Sequence, residues 1–422
     1  MCTRICRQLP HGKMKSTMNT IKIGILKEGK IPPDKRVPLT PKQCRKLQEK
    51  YSNAKVYVQS SEVRAFTDKE YRLEGIEVQP DISHCDYFFG VKEVNVADLV
   101  PSKKFVFFSH TIKKQPYNQK LLRAILDQRI QLIDYEVMRD SSSKRILGFG
   151  RYAGIVGAYN GFRALGLKTG SFQIRPAHLC KDRKEMEDEL KHVILPKDFK
   201  VVLTGFGRVG HGAREILELL PIKEVSAEQF SDVHNEPVFT QLEVQDYYAH
   251  KDGIPFNKPQ FYSNPEEYNS TFSRFVTQAD MYIACHFWSN RSPFILTKED
   301  LNVPNRRLKV VADISCDVDG PIACTIKPST IQAPVYGYDV STGNESDYTS
   351  NDAMAVMAVD NLPCELPRDA SEDFGNELLR LIFPAIFESD PDRIIERASE
   401  TSLEGKLMPE FEYLAEYVQS AQ

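Results

Sequence analysis

The feature that most limits what this chain can fold into is a glycine-rich turn near its middle. A β-prone run, Val201-Val-Leu-Thr204, leads into Gly205-Phe-Gly207-Arg-Val-Gly210, and a helical pattern of apolar residues follows. In a dinucleotide site the first glycine makes a tight turn, the second lets the backbone approach the pyrophosphate, and the third lets helix and strand pack closely. The phosphates then lie at the helix N-terminus. This order of strand, glycines and helix predicts a nicotinamide dinucleotide site rather than a corner that only packs.

Length and composition limit the class of protein. At 422 residues, with 41% hydrophobic and 27% charged residues, the chain has room for two globular domains. The net charge of -3 gives no electrostatic reason to bind nucleic acid or an anionic membrane. The nine cysteines are scattered without a C-x-x-C pair, which predicts reduced thiols, no metal site and a cytoplasmic location. We expect small-molecule substrates, and a monomer or small homo-oligomer.

Strand-like and helix-like segments alternate along the chain, which predicts a doubly wound α/β fold. There are two sets of parallel-type strands, and the glycine loop begins the second set. Ile222 to Val225 is predicted to be the second strand of the nucleotide domain, and the pattern from Ala353 to Val359 turns helical. The first 20 residues are basic and lack acids, and an unstructured tail is favoured over a targeting peptide.

Two residues of the first set stand directly after short apolar strands. Lys92 follows Tyr87 to Val91, and His110 follows Phe105 to Ser109. Hydride transfer at an amine or imine needs groups that accept and donate protons, and lysine and histidine serve when their pKa values lie near the working pH. On spacing alone, either side chain could equally be a solvated residue at a strand end.

Other charged residues could assist this pair. The carboxylates of Glu93 and Glu136 would raise the pKa values of a neighbouring lysine or histidine, whereas burial would lower them. Arg36, Arg145 and Arg151 could each hold a substrate carboxylate in a two-pronged hydrogen bond.

Cofactor contacts are predicted from the loop itself, at Gly205, Gly207, Arg208, Val209 and Gly210. An acid about twenty residues further on usually binds the adenosine ribose. The candidates here are Glu224, inside the predicted second strand, and Glu228 just beyond it, and we select Glu228. No aspartate ends that strand, so the residues leave the choice between NAD and NADP open; NAD is the cofactor we select, and NADP stays possible.

These residues lie in stretches that resemble a known family, the lysine-forming saccharopine dehydrogenases and lysine–2-oxoglutarate reductase domains. That family belongs to the wider alanine dehydrogenase and transhydrogenase group. The resemblance extends from about residue 21 to 390 and is carried by Gly24-Ile-Leu-Lys-Glu28, Lys35-Arg-Val-Pro-Leu-Thr-Pro41, Gly90-Val-Lys-Glu93, Phe108-Ser-His-Thr-Ile-Lys113, Asp134-Tyr-Glu136, Gly148-Phe-Gly-Arg-Tyr-Ala-Gly154, Val311-Ala-Asp-Ile-Ser315 and Val359-Asp-Asn-Leu-Pro-Cys-Glu-Leu-Pro-Arg-Asp-Ala-Ser371.

The resemblance implies a reaction and a set of residue roles. Saccharopine is cleaved oxidatively to lysine and 2-oxoglutarate, or made from them, through an imine and a carbinolamine. The implied roles are acid–base catalysis by Lys92 and His110, modulation by Glu93 and Glu136, substrate binding by Arg36, Arg145 and Phe149, and nicotinamide ribose binding by Asp360.

The resemblance also implies two Rossmann-like domains with the chemistry in a cleft between them. Residues 21–150 and 351–422 would form a discontinuous catalytic domain, residues 151–350 the dinucleotide domain, and residues 1–20 a flexible tail. Fused members of the family carry a further glutamate-forming half, whose activity is not expected here. Two alternatives stay open: an alanine dehydrogenase or other opine-type enzyme, and a NAD(P)-binding regulatory protein without catalysis.

Overall fold

The computed structural model describes residues 19–31 and 33–419. All but the last two residues of the predicted tail at 1–20 lie outside this part. The described chain divides into two compact units. Unit 1 comprises the residues up to Lys30, Leu39–Met138 and the residues from Leu379 on; unit 2 comprises Ile31–Pro38 and Arg139–Leu378.

The strands form two main sheets and one separate pair. In the described chain they are, in order, β1 (Ile21–Ile25), β2 (Ala54–Gln59), β3 (Glu77–Gln79), β4 (Tyr87–Phe89), β5 (Lys104–Phe107), β6 (Gln131–Asp134), β7 (Lys200–Thr204), β8 (Lys223–Glu224), β9 (Val238–Leu242), β10 (Tyr248–His250), β11 (Tyr268–Ser270), β12 (Met281–Ala284), β13 (Val310–Asp313), β14 (Val335–Asp339), β15 (Glu345–Ser346) and β16 (Ala353–Met357).

Helices connect most of these strands. Those of the described chain are α1 (Pro41–Lys50), α2 (Asp68–Leu73), α3 (Pro116–Asp127), α4 (Gly150–Thr169), α5 (Arg183–Glu189), α6 (Arg208–Leu217), α7 (Val244–Tyr247), α8 (Lys258–Ser263), α9 (Ser273–Val276), α10 (Lys298–Leu301), α11 (Pro367–Glu377), α12 (Phe383–Phe387), α13 (Ile394–Arg397) and α14 (Ala415–Gln419). Among the residues described, no helix combines the length and the apolar character that crossing a bilayer requires.

Unit 1 is built on a parallel sheet with the strand order β3-β2-β1-β4-β5-β6. Parallel strands are usually covered on both faces, and therefore read as short apolar runs. Phe88, Phe105 and Phe107 illustrate this, because all three are buried in one core with Leu122 and Ile125 of α3. Since β4 and β5 are parallel neighbours, the segments that follow their carboxyl ends lie at the same edge of the sheet.

Unit 2 is built on a larger sheet with the strand order β15-β14-β16-β13-β12-β7-β9-β8. The strands from β16 to β8 run parallel, whereas β14 and β15 pair antiparallel at one side. β10 and β11 form a separate antiparallel pair. The predicted α/β class with two Rossmann-like parallel sheets is confirmed.

One prediction about unit 2 is wrong. Ala353–Met357 is the strand β16 and not a helix, since all five side chains are buried and a short apolar run carries no period that separates the two states. The second strand predicted at Ile222 to Val225 is present, as the two-residue strand β8 at the edge of the sheet. The place beside β7 belongs to β9.

The strand assignment of β16 affects where the units end. Unit 2 continues to Leu378 and also takes in Ile31–Pro38 and the residues from Arg139, whereas the predicted dinucleotide domain covered 151–350. β16 lies between β13 and β14 in the sheet of unit 2, and the chain returns to unit 1 at Leu379, whereas the family resemblance implied a return near residue 351.

Candidate functional site

In unit 1, Lys92 and His110 follow two neighbouring parallel strands. β4 and β5 pair with Phe89 opposite Val106, and the pairing continues beyond β4 because the amide of Phe108 donates to the carbonyl of Val91 at 3.1 Å. Lys92 comes directly after this bond on one strand, and His110 lies two residues beyond it on the other. The carboxyl edge of the sheet therefore brings together the two residues that the sequence singled out.

Glu93 joins this pair through a hydrogen bond to His110. The Nδ1 atom of His110 lies 2.6 Å from Oε1 of Glu93, and both side chains are 15% exposed. Burial alone would raise the pKa of the Glu93 carboxyl, but the hydrogen bond with His110 and the charge of Lys30 bring the pKa down to about 2. An ionised Glu93 accepts the hydrogen on Nδ1 and leaves Nε2 of His110 for proton exchange.

Glu28, which the sequence pattern did not single out as a site residue, holds the segment carrying Lys92. The Glu28 carboxylate accepts the backbone N–H groups of Val91 at 2.7 Å and Lys92 at 2.9 Å. Glu28 follows β1, and β1 pairs with β4, so both residues lie at one edge of the sheet. The only sign of Glu28 in the sequence was its place as the acid that follows the first predicted strand, in Gly24-Ile-Leu-Lys-Glu28. Its contact with the Lys92 segment could be predicted only by knowing that β1 and β4 are neighbours.

Glu136 lies at the same edge, after β6, the neighbour of β5. Its Oε1 atom is 3.3 Å from Nζ of Lys113, in the turn that follows His110. The structure thus places both predicted modulating acids beside the segment of His110, with Glu93 in direct contact and Glu136 paired to Lys113.

The Glu93 contact should make stability depend on pH in acid. Because its pKa falls from 4.5 to about 2 on folding, the ionised carboxylate stabilises the fold above about pH 4.5. This contribution is lost as the pH falls toward 2. We therefore expect Glu93→Gln to lower the melting temperature near neutral pH and to match the wild type increasingly as the pH approaches 2. A melting-temperature difference that does not change with acid pH would contradict the contact.

In unit 2, the glycine loop has the geometry that each position requires. Gly205 has a φ of +92°, and a Cβ there would meet the carbonyl oxygen of Cys285 at 2.5 Å. A Cβ on Gly210 would come within 2.0 Å of the Gly205 carbonyl oxygen, so helix α6 can pack this closely only with glycine. A Cβ on Gly207, the N-cap residue just before α6, would meet no described residue within 4 Å apart from its chain neighbours. The loop therefore faces open space where a pyrophosphate would approach.

The open space belongs to a cavity of about 520 Å³, a size typical of cofactor sites. It is lined by residues 205–209, by Glu243 after β9, by Lys258 and Tyr262 of α8, and by the buried His286 after β12. Its lining thus comes from the carboxyl ends of three adjacent parallel strands, where ligands bind in open α/β sheets.

His286 supplies a buried polar atom to this cavity. Its Nδ1 lies 3.1 Å from Oγ1 of Thr204 and 3.3 Å from the hydroxyl of Tyr282, while Nε2 has no hydrogen-bond partner among the described residues. Burial lowers the pKa of His286 to about 3, so the ring is neutral at pH 7. A neutral imidazole with one unused nitrogen, an open glycine loop and a cavity of this size fit a dinucleotide.

The structure places Glu228, which was selected for the adenosine ribose, away from this cavity. Glu228 follows the edge strand β8, is exposed, and lies outside the lining of the cavity. The acid after the strand beside β7 is Glu243. Its carboxylate accepts the amide of Asp246 at the start of α7 and lies 3.4 Å from Nζ of Lys258. Because β8 precedes β9 in the sequence, Glu243 lies further from the glycines than the usual spacing of about twenty residues.

Arg36 and Phe149 come together in unit 2, but Arg36 is already engaged. Its Nε and Nη2 donate to the two carboxylate oxygens of Asp34 at 3.0 and 2.5 Å, and Nη2 also donates to the side-chain oxygen of Asn361 at 3.0 Å. The guanidinium lies 4.2 Å from the ring centre of Phe149, which stacks on Phe374. Only 2% of Arg36 is exposed, so in this arrangement it offers little surface to a substrate.

Arg145 is exposed, and its segment is fastened to the glycine loop. Arg208, the first residue of α6, donates from Nη2 to the carbonyls of Arg145, at 3.2 Å, and Ile146. The predicted substrate arginine Arg145 and the predicted cofactor-loop residue Arg208 are therefore neighbours. Arg151 is instead held by Glu215 at 2.7 Å and Asp373 at 2.5 Å, which accounts for it as a structural ion-pair residue.

Asp360 and Val209 take different positions in unit 2. Asp360 is exposed after β16, at the carboxyl edge of the sheet that also carries the glycine loop. Val209 lies in the first turn of α6, and its carbonyl would be 1.9 Å from a Cβ on Gly154 of α4. This close approach of α4 and α6 fixes the helix whose N-terminus faces the cavity.

The chain is similar to several known proteins. Residues 24–156 match the family "Alanine dehydrogenase/PNT, N-terminal domain". The chain is 31% identical over 388 residues to the alpha-aminoadipic semialdehyde synthase, mitochondrial, of Bos taurus, covering 82% of this chain and 41% of that protein. It is 26% identical over 374 residues to the saccharopine dehydrogenase [NAD(+), L-lysine-forming] of Schizosaccharomyces pombe, covering 82% and 89% respectively.

The similarity extends to solved structures. An L-alanine dehydrogenase superposes with a TM-score of 0.63 at 17% identity, covering 94% of this chain and all of that one, which shows a shared fold. The chain spans only about two fifths of the length of the alpha-aminoadipic semialdehyde synthases that it matches. The resemblance predicted from the sequence, to the saccharopine dehydrogenase family within the alanine dehydrogenase group, is confirmed.

Proposed function

We propose that this chain is an oxidoreductase that acts on the C–N bond of saccharopine and interconverts it with L-lysine and 2-oxoglutarate, using a nicotinamide dinucleotide. The observation that carries the proposal is the placement of Lys92 and His110 side by side after β4 and β5, with Glu93 hydrogen-bonded to His110. The similarity over most of the length of a lysine-forming saccharopine dehydrogenase supports the choice of substrate.

The glycine loop and its cavity would hold the dinucleotide, which accepts or supplies the hydride when bound. Gly205, Gly207 and Gly210, with the amides of Arg208 and Val209 at the start of α6, would bind the pyrophosphate. We assign the adenosine ribose to Glu243, and the nicotinamide ribose to Asp360 at the same edge of the sheet. NAD is the proposed cofactor, because a carboxylate beside the ribose repels a 2′-phosphate.

Lys92 and His110 would move the protons of the reaction. Oxidation of saccharopine removes a proton from its secondary amine, and hydrolysis of the resulting imine adds water to carbon before the carbinolamine breaks down to lysine and 2-oxoglutarate. Each step needs a base or an acid near neutral pH. Nε2 of His110 is available for this because Glu93 engages Nδ1. Lys92, on the neighbouring segment, would exchange the second proton.

Arg145 would bind a carboxylate of saccharopine, because its side chain is exposed and a guanidinium matches a carboxylate with two hydrogen bonds. Arg36 and Phe149 would contribute to substrate binding indirectly. Arg36 lies over the ring of Phe149, which stacks on Phe374, and these contacts support the residues between Arg145 and α4.

A direct assay tests the proposal. Purified protein mixed with L-lysine, 2-oxoglutarate and NADH should consume the reduced cofactor, and omission of either substrate should stop the consumption. Pyruvate with ammonia belongs on the same panel, because turnover of that pair alone would make the chain an alanine dehydrogenase. NADH binding without turnover of any pair would support a regulatory protein.

Replacing Glu243 should weaken NADH binding and reduce the preference of the protein for NADH over NADPH. The loss of one charged hydrogen bond corresponds to about 1.5–3 kcal/mol, or about 10–100-fold in the dissociation constant. Glu243→Gln keeps the size of the side chain and removes its charge. Glu228→Gln is the matched control, because that acid is exposed outside the cavity. Parallel fluorescence titrations with NADH and NADPH measure both effects, and equal behaviour of the two variants would remove Glu243 from the ribose site.

We further propose a cytoplasmic location. The described cysteines are all free thiols, as expected in a reducing compartment. Cell fractionation that recovers the native protein in a membrane-enclosed organelle would contradict this.

A further inference from the structure

Two fully buried carboxyl groups lie beneath the turn that carries His110. Asp134 ends β6, and Glu400 is held beside that strand because its amide donates to the carbonyl of Leu132 at 2.8 Å. Both side chains are 0% exposed. The proposed reaction does not use either of them.

Ser109 and Thr111, the residues on either side of His110, connect these carboxyls. Oγ of Ser109 lies 2.5 Å from Oδ2 of Asp134 and 2.6 Å from Oγ1 of Thr111, and Oγ1 of Thr111 lies 2.5 Å from Oε2 of Glu400. All four side chains are buried. They form a row of oxygens that runs Asp134, Ser109, Thr111, Glu400, and Oγ of Ser109 also lies 3.3 Å from Oε1 of Glu400, a longer contact than the other three.

A count of hydrogens shows what this row requires. Its three short oxygen–oxygen contacts each need one hydrogen, but the two hydroxyls supply only one hydrogen each. With both carboxyls ionised, one contact would join two lone pairs at hydrogen-bond distance in a buried place. The third hydrogen must come from a carboxyl group.

We propose that Asp134 and Glu400 hold one proton between them, that this proton resides on Glu400, and that the resulting network is a positioning device for His110. The protonated Glu400 donates to Thr111, Thr111 donates to Ser109, and Ser109 donates to Asp134. The assignment of a proton stands on geometry alone. Its consequence for turnover rests on the proposed function of His110.

The surroundings decide which carboxyl is protonated. Asp134 accepts backbone N–H groups from Ser109 at 3.1 Å and from Glu136 at 2.6 Å, and such bonds stabilise a carboxylate. Burial and the neighbouring charge of Asp134 raise the pKa of Glu400 well above its ordinary value. Glu136, Tyr135, Tyr413 and Tyr417 are described ionisable groups that interact electrostatically with the pair, and none of these four supplies a positive charge that would oppose the effect.

The network holds His110 in a conformation that the backbone does not favour. His110 has a φ of +54°, in the left-handed region, and both flanking side chains are anchored to the carboxyls. Losing either anchor would let the turn relax and move the imidazole. Because a displacement of about 1 Å at a reacting group can lower the rate by about 10²-fold, the network should affect turnover without touching substrate.

Two measurements that do not depend on activity test the proton. The infrared spectrum at neutral pH should contain a carboxylic-acid C=O band that Glu400→Gln removes. In addition, folding raises the pKa of Glu400 above its ordinary value of 4.5. The wild type should therefore lose folding stability as the pH rises above 4.5, because the carboxyl then ionises in the unfolded chain but not in the folded one. Glu400→Gln has no carboxyl at this position and should not show this loss. The melting temperature of Glu400→Gln relative to the wild type should increase between about pH 6 and about pH 9. The proton assignment would be overturned if Glu400→Gln removed no carboxylic-acid band and if the melting-temperature difference between variant and wild type did not change with pH. This outcome would hold even if the chain turned saccharopine over.

Matched amide variants test the positioning role. Glu400→Gln can still donate to Thr111 and should keep kcat within about 3-fold, whereas Asp134→Asn turns an N–H group toward backbone donors and should lower kcat by about 10²-fold. NADH affinity should stay unchanged in both. Ser109→Ala, which breaks the row without adding an amide, should behave like Asp134→Asn. Equal kcat in all three variants, with the infrared band confirmed, would leave the proton in place and overturn the positioning role.

Discussion

Replacing either His110 or Lys92 by alanine should lower turnover by about 10²–10⁴-fold while NADH affinity stays nearly unchanged. That range is typical for the loss of a general acid or base. Both residues lie in unit 1, and neither is among the residues that line the cavity of the glycine loop in unit 2. Steady-state kinetics with lysine and 2-oxoglutarate, together with a fluorescence titration of NADH, measure the two quantities separately.

Controls for these variants come from the same chain. Lys120→Ala removes an exposed lysine of α3, and His234→Ala removes a histidine that bonds a backbone carbonyl in unit 2. Both should retain wild-type turnover. If both His110→Ala and Lys92→Ala also retained it, the two residues would be excluded from proton transfer. A fall in NADH affinity in either one would point instead to a structural effect.

Gly207→Leu should abolish measurable dinucleotide binding without lowering the melting temperature. Apart from the chain neighbours, no described residue has an atom within 4 Å of the expected Cβ at this position. A side chain there projects into open space, and the fold can accept it. That same space is where the pyrophosphate would approach the start of α6. NADH fluorescence titration and thermal unfolding are the two measurements, and normal NADH binding by the variant would show that the cofactor lies elsewhere.

Two further glycine variants separate binding from folding. Gly207→Ala adds one carbon at the same place and should weaken NADH binding less than leucine does. Gly210→Ala should instead lower the melting temperature, because its Cβ would lie 2.0 Å from the Gly205 carbonyl oxygen and helix α6 would have to move. Identical effects of substitution at the two positions would contradict the distinct roles assigned to them.

The site could be predicted where its residues are local to one strand end. Lys92, Glu93 and His110 follow apolar runs, and parallel neighbours bring such ends to one edge, so their proximity follows from the pattern, while their roles stay predictions. The loop from Gly205 to Gly210 could be predicted because its three glycines, the preceding strand and the following helix are contiguous in the sequence. Proposing saccharopine as the substrate required the family resemblance.

The sequence was insufficient where function depends on which strands are neighbours. Glu28 contacts the Lys92 segment because β1 lies beside β4, and Glu243 rather than Glu228 follows the strand beside β7 because that strand is β9 and not β8. Glu400 is almost 300 residues from Ser109 and Thr111, and no local pattern links them. The helix predicted at 353–359 failed for a different reason, since a fully buried strand carries no polar face to reveal its period.

The stoichiometry of saccharopine oxidation tests the central claim most directly. Purified protein given saccharopine and NAD in excess should release lysine and 2-oxoglutarate in equal amounts, with one NADH formed for each, because one water molecule is consumed as the C–N bond breaks. Loss of all three products together in His110→Ala would tie them to a single reaction. NADH formation without lysine, or no reaction with saccharopine while pyruvate and ammonia are consumed, would contradict the assignment.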